Sequence, residues 1–146
     1  MTNKRFGLGV VLYVFNPDVS KILLLELNPT KKAHFKAEWG NVGGKVNLGE
    51  SSLDCCIRET IEEIGITLQK ENIRQLYVSD IPDFSPEVHA VQFVYGTKLS
   101  ENVPIILSNE HASYRWFSIS ALPKNMIDSQ KETHRITKIM QSTSAY

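Results

Sequence analysis

Hydrophobic residues along this chain recur with two different periods. GLGVVLYVF (7–15), rich in β-branched and aromatic residues, predicts a strand, and KILLLEL (21–27) beyond the turn formers Asn16-Pro17-Asp18 predicts the second arm of a hairpin. Residues 28–38, with Pro29 and His34, read as a polar loop, and a short strand is expected around Trp39, leading into Gly43 and Gly44. Further strands are predicted at IRQLYVSD (73–80), VHAVQFVYGTKL (88–99) and SYRWFSI (113–119), with Val91, Phe93 and Tyr95 on one face. Pro82 and Pro86 exclude a continuous strand through IPDFSPE. Elsewhere the period is helical. Leu53, Ile57, Thr60, Ile61 and Ile64 form one apolar stripe, opened by Ser51 with Asp54 and closed by Gly65. A last helix is expected from Gln130 to Met140, burying Ile136, Ile139 and Met140. The order predicts an α/β fold: a single domain over residues 1–146, with a mixed β-sheet flanked by helices.

Composition narrows the partners. Sixteen basic residues balance sixteen acidic ones, so the chain has no general field for nucleic acid or anionic lipid, and no stable nucleic-acid partner is expected. No apolar run approaches the roughly 20 residues of a membrane span, and MTNKRFGLGV has no cleavable signal pattern. Cys55 and Cys56 are adjacent, a poor geometry for a bridge, and read as reduced packing thiols. The four histidines have no metal-ligand spacing. These features predict a cytoplasmic protein, monomer or homodimer, acting on a small molecule.

The chemistry is concentrated in GGKVNLGESSLDCCIRETIEEIGI, residues 43–66. Glu59 faces Glu62 and Glu63 at spacings of three and four, where like charges cost about 0.2–0.5 kcal/mol per pair in an isolated helix. Chance tolerates a penalty of that size, so the cluster alone leaves a metal site and a solvated face both open. Mg²⁺, which favours carboxylate oxygens, would reverse the sign of the interaction. Gly43-Gly44-Lys45 shortly before the helix supplies a backbone that a ligand can approach and a point charge suited to phosphate.

Gly44, Glu50 and the run Arg58-Glu59-Thr60-Ile61-Glu62-Glu63-Ile64-Gly65-Ile66 together resemble the Nudix box (44–66), the loop–helix–loop signature of hydrolases of nucleoside diphosphates linked to another group. Thr60 stands where that family usually has a bulkier aliphatic residue. The resemblance implies an α/β/α sandwich and a Mg²⁺ or Mn²⁺ site formed by Glu59, Glu62, Glu63 and the Gly43 carbonyl. It further implies phosphate contact by Lys45 and orientation of the helix by Glu50 and Arg58. The general base is implied to be a box glutamate, Glu59 or Glu62, or else Glu110 in the loop before a late strand.

Two subfamilies compete for the substrate. AEWGNVGGKV and RWFSISALPKNM resemble segments of oxidised-purine nucleoside triphosphatases, but the Trp-Pro-Asp-Asp segment that reads the purine there is replaced by Ile127-Asp128-Ser129-Gln130. PDFSPE (82–87) is similar to a loop of ADP-ribose pyrophosphatases, with Asp83 in place of a glycine. The expectation is hydrolysis of a (d)NTP to monophosphate and pyrophosphate. The alternatives are an ADP-ribose or dinucleotide pyrophosphatase and a non-catalytic nucleotide sensor. Trp39, Phe84 and Asp128 are the candidate pocket residues; for Trp39, packing is the commoner role of such a residue.

Overall fold

A computed structural model describes residues 3–142. Seven strands form one mixed sheet: β1 Arg5–Phe15, β2 Lys21–Leu27, β3 Trp39–Gly40, β4 Val42–Lys45, β5 Ile73–Ile81, β6 Val88–Lys98 and β7 His111–Ser118. Three α-helices accompany them: α1 Pro29–Phe35, α2 Ser52–Ile64 and α3 Gln130–Ser142. The sheet is mixed because β1 runs parallel to β6 along its whole length, Arg5 opposite Val88 through Phe15 opposite Lys98. β5 is antiparallel to β6 and β7 to β2.

The expected hairpin exists, but β1 and β2 share only the pairing of Phe15 with Ile22 before they diverge. β4 pairs with β1 in its place, Gly9 opposite Lys45 through Leu12 opposite Val42. This splaying brings the two glycines of β4 alongside the central strand.

Both faces of β1 are covered. Val10, Leu12 and Val14 pack with Val42, Cys55, Cys56 and Ile64 on the α2 side, whereas Tyr13 and Phe15 pack with Val94, Ile136 and Met140 on the α3 side. Continuous apolar runs such as KILLLEL are what burial on two faces requires.

Three expectations change. The loop at 28–38 contains α1, because Asn28 caps it by accepting from the Lys31 N–H at 2.9 Å and Pro29 occupies the first turn, where its missing donor costs nothing. The buried side of α2 is Cys55, Cys56, Thr60, Glu63 and Ile64, and Ile61 is exposed. The stripe is rotated because glutamates rather than isoleucines press against the glycines of β4. In α3, Thr133 and Thr137 share the buried side with Ile136 and Met140, and Ile139 is only half-buried; each threonine hydroxyl donates to the carbonyl four residues back.

Ile136 is fully buried, so Ile136→Ala should cost about 2–5 kcal/mol. Urea denaturation should show a lower midpoint at an unchanged slope.

Candidate active site

α2 starts where Ser51 accepts from the Asp54 N–H at 3.0 Å and stops at Gly65, which is left-handed with φ 71°. Between these caps it presents Glu59 and Glu63 to β4. Glu63 is 3% exposed, and one carboxylate oxygen accepts from the Gly43 N–H at 3.0 Å. A Cβ at Gly44 would overlap the Glu59 carboxylate, 2.6 Å from Oε2 and closer to its other atoms. At Gly43 it would stand 2.5 Å from the Val10 carbonyl oxygen. Only glycines allow this approach. An extended residue sends its N–H and C=O to the same side, so the Gly43 carbonyl is directed toward the glutamate edge as well.

Arg58 organises the remaining carboxylates. It donates to both oxygens of Glu50, at 2.7 and 2.9 Å, to Glu59 at 2.8 Å, to Glu62 at 3.2 Å and to the Lys45 carbonyl at 3.1 Å. The bidentate contact lowers the Glu50 carboxyl to about 2, with help from the Asn47 N–H. Glu62 is the exposed member of the cluster, and the Lys45 ammonium has no ion-pair partner among the described residues.

Burial pushes the Glu63 carboxyl up to about 9, and the nearby charge of Glu59 adds to the effect. His111 Nε2 lies 3.5 Å from Glu63 Oε1, but burial pushes the imidazole down to about 4, so it is neutral at pH 7 and supplies no positive charge. The histidine pattern gave no hint of this contact; the one sequence signal was its position directly after Glu110. Glu110 itself is exposed and pairs with Lys31 at 3.3 Å. Among the described residues, no three histidine, cysteine or carboxylate side chains are gathered closely enough to cage a metal. Arg58 holds Glu59 and Glu62 instead.

The pocket candidates separate. Asp128 is half-buried, accepts from the Asn41 amide at 2.8 Å and lines a cleft of about 260 Å³ with Tyr13, Tyr77, Gln92 and Glu132. Burial raises its carboxyl, against the bond from Asn41. Its position follows from pairing of 125–127 with the start of β3, the Asn125 carbonyl accepting from Glu38 and Trp39 and the Ile127 N–H returning to the Trp39 carbonyl. The cleft lies across the β1–β4 ladder from the glutamates, since its lining residue Val11 is the strand partner of Gly43. Trp39 packs edge-on against Phe117, with ring centroids 4.8 Å apart, and Phe84 is exposed in the turn after β5; neither lines the cleft. Burial pushes Cys55 and Cys56 up to about 12, as unreactive thiols require.

A carboxyl raised in the folded state costs stability as pH climbs above its unfolded value near 4.5 and on through 9, whereas the lowered His111 costs stability as pH falls below 6.5. In EDTA, therefore, thermal midpoints of the wild type should fall between pH 5 and pH 9 more steeply than those of Glu63→Gln. Gly44→Ala should displace Glu59 and lower any activity at least tenfold while the circular dichroism spectrum stays folded.

The similarities agree with this geometry. The NUDIX domain model matches residues 5–136. The m7GpppN-mRNA hydrolase of Saccharomyces cerevisiae is 26% identical over 137 residues, 91% of this chain, although the chain spans only 13% of that protein. The mouse asymmetrical bis(5'-nucleosyl)-tetraphosphatase is 29% identical over 103 residues, covering 70% of this chain and 68% of that one. A solved MutT NUDIX hydrolase from Burkholderia pseudomallei is 26% identical with a TM-score of 0.68, covering 96% of this chain and all of that one. With the box helix, its glycines and the mixed sheet all in place, the chain belongs to the Nudix hydrolase family.

Proposed function

We propose that this chain is a divalent-metal-dependent pyrophosphohydrolase of small nucleotides. The observation that carries the reading is the burial of Glu63 beside Glu59 against Gly43 and Gly44, with no lysine or arginine paired to Glu63 among the described residues. A buried carboxyl beside a second one keeps its proton until a cation arrives to replace it, and hard oxygen donors of this kind suit Mg²⁺ or Mn²⁺. Glu59, Glu62, Glu63 and the Gly43 carbonyl would hold the ion, and Arg58 would release Glu59 and Glu62 to it while keeping Glu50. When bound, such a cation lowers the pKa of water and neutralises charge on a diphosphate. Lys45 is free to contact phosphate. A carboxylate within reach of the attacking water takes its proton, and Glu59, Glu62 and Glu110 are the groups available.

The cleft supports a nucleotide substrate. Its acidic lining, Asp128 and Glu132, favours a donor-bearing base over a phosphate, so the base would sit there and the diphosphate at the glutamates. A (d)NTP, cleaved to monophosphate and pyrophosphate, is the primary reading. The similarity to the mouse tetraphosphatase supports dinucleoside polyphosphates as the second. Balanced charge supports small molecules over capped RNA.

Hydrolysis of (d)NTPs, dinucleoside polyphosphates and ADP-ribose, followed by chromatography of the nucleotide products, should stop in EDTA, return with Mg²⁺ or Mn²⁺, and fall by orders of magnitude in Glu63→Gln. Full turnover in EDTA would refute the metal requirement, and the products identify the bond cleaved.

A further inference from the structure

One basic side chain from outside the box pairs with Glu110, the residue before the His111 that contacts Glu63. Lys31 lies on α1, and its Nζ is 3.3 Å from Glu110 Oε2. Its charge also bears on both Glu63 and His111, favouring the ionised carboxylate of the first and the neutral ring of the second. A single residue fixes this placement. The Asn28 side chain accepts from the Lys31 N–H at 2.9 Å and donates to the Asn109 carbonyl at 3.1 Å, while its main-chain N–H donates to the Glu110 carbonyl at 3.0 Å. Capping α1 requires only the first of these bonds. The other two tie α1 to the strand entry that carries Glu110 and His111. The same segment is anchored to α2 where the Ser108 N–H donates to the Glu63 carbonyl at 3.3 Å. Lys31, Glu110 and Glu63 therefore belong to one braced unit.

We propose that Lys31 is a ligand for substrate phosphate that exchanges partners: Glu110 in the free protein, a phosphate oxygen in the complex. The proposal rests on the pyrophosphohydrolase reading and adds a residue to it. Both side chains are partly exposed, 32% for Lys31 and 49% for Glu110, and an ion pair of that kind contributes little. A phosphate placed at the glutamate edge offers the ammonium more negative charge and more acceptor oxygens than Glu110 does. The exchange leaves Glu110 without its cation and available to accept a proton. Lys32, the next residue, is a built-in comparison: it points to Glu26 at 2.6 Å.

Calorimetric titration with pyrophosphate in the presence of Mn²⁺ tests this without knowing the natural substrate. Lys31→Met should weaken binding about tenfold or more, the worth of a hydrogen bond between charged groups, with Mn²⁺ affinity unchanged. Lys31→Arg should recover most of it, and Lys32→Met should bind as the wild type does. Glu110→Gln removes the competing partner and should tighten pyrophosphate binding by up to about fivefold, the equivalent of an exposed ion pair, while slowing turnover. Wild-type affinity in Lys31→Met, or equal losses in Lys31→Met and Lys32→Met, would overturn the role of Lys31 and leave the hydrolase reading intact. Unchanged or weaker binding in Glu110→Gln would overturn the exchange. A wild-type chain that neither binds pyrophosphate with Mn²⁺ nor hydrolyses any nucleotide would remove both readings.

Discussion

Close contact between a helix and the two-glycine middle of a strand governs the centre of this molecule. Glu59 occupies the space where a side chain at Gly44 would be, and Glu63 takes the Gly43 N–H. For that to happen β4 must lie flat against β1, which it does because β1 and β2 separate after a single pairing. The splayed hairpin, the paired glycines and the rotated burial of α2 are thus one arrangement seen from three elements. Larger residues on β4 would push the helix away and return its carboxylates to solvent.

Arg58 prevents this acidic ridge from repelling itself apart. One guanidinium serves Glu50, Glu59 and Glu62, and its contact with the Lys45 carbonyl fastens the helix to the end of β4. A lysine could not make this set of contacts, since the planar fork is what permits bidentate grip on Glu50 and further bonds in other directions. Glu63 is outside the reach of this network. It depends on a main-chain donor and a neutral imidazole, so a negative charge there would be the least compensated in the cluster and the carboxyl holds its proton.

Much of this could be read from the chain, for identifiable reasons. Strands such as KILLLEL announce themselves through composition, and α2 carries both caps in Ser51 and Gly65. Helix α1 was hidden because PTKKAHF is short, polar and mostly exposed; only Asn28-Pro29 signals it, and the same pair reads equally well as a turn. The face of α2 was misjudged since apolar spacing assigns isoleucines to the interior, whereas burial here was decided by what the opposing strand lacks. His111 and Lys31 escaped notice for a different reason. Their positions depend on pairing between segments far apart in sequence, such as Asn28 with Glu110, which no local pattern encodes.

The parallel pairing of β1 with β6 has a consequence for how the chain reaches this state. Arg5 meets Val88 and Phe15 meets Lys98, so the central strand has no long partner until β6 has been synthesised. Until then β1 has only the short ladder with β4 and a single contact with β2, and its apolar stretch is open to other chains. Closing so large a loop makes the nucleus entropically expensive and the folding slow. Substitutions that weaken β6 therefore threaten yield and solubility before they alter the chemistry on the other side of β1.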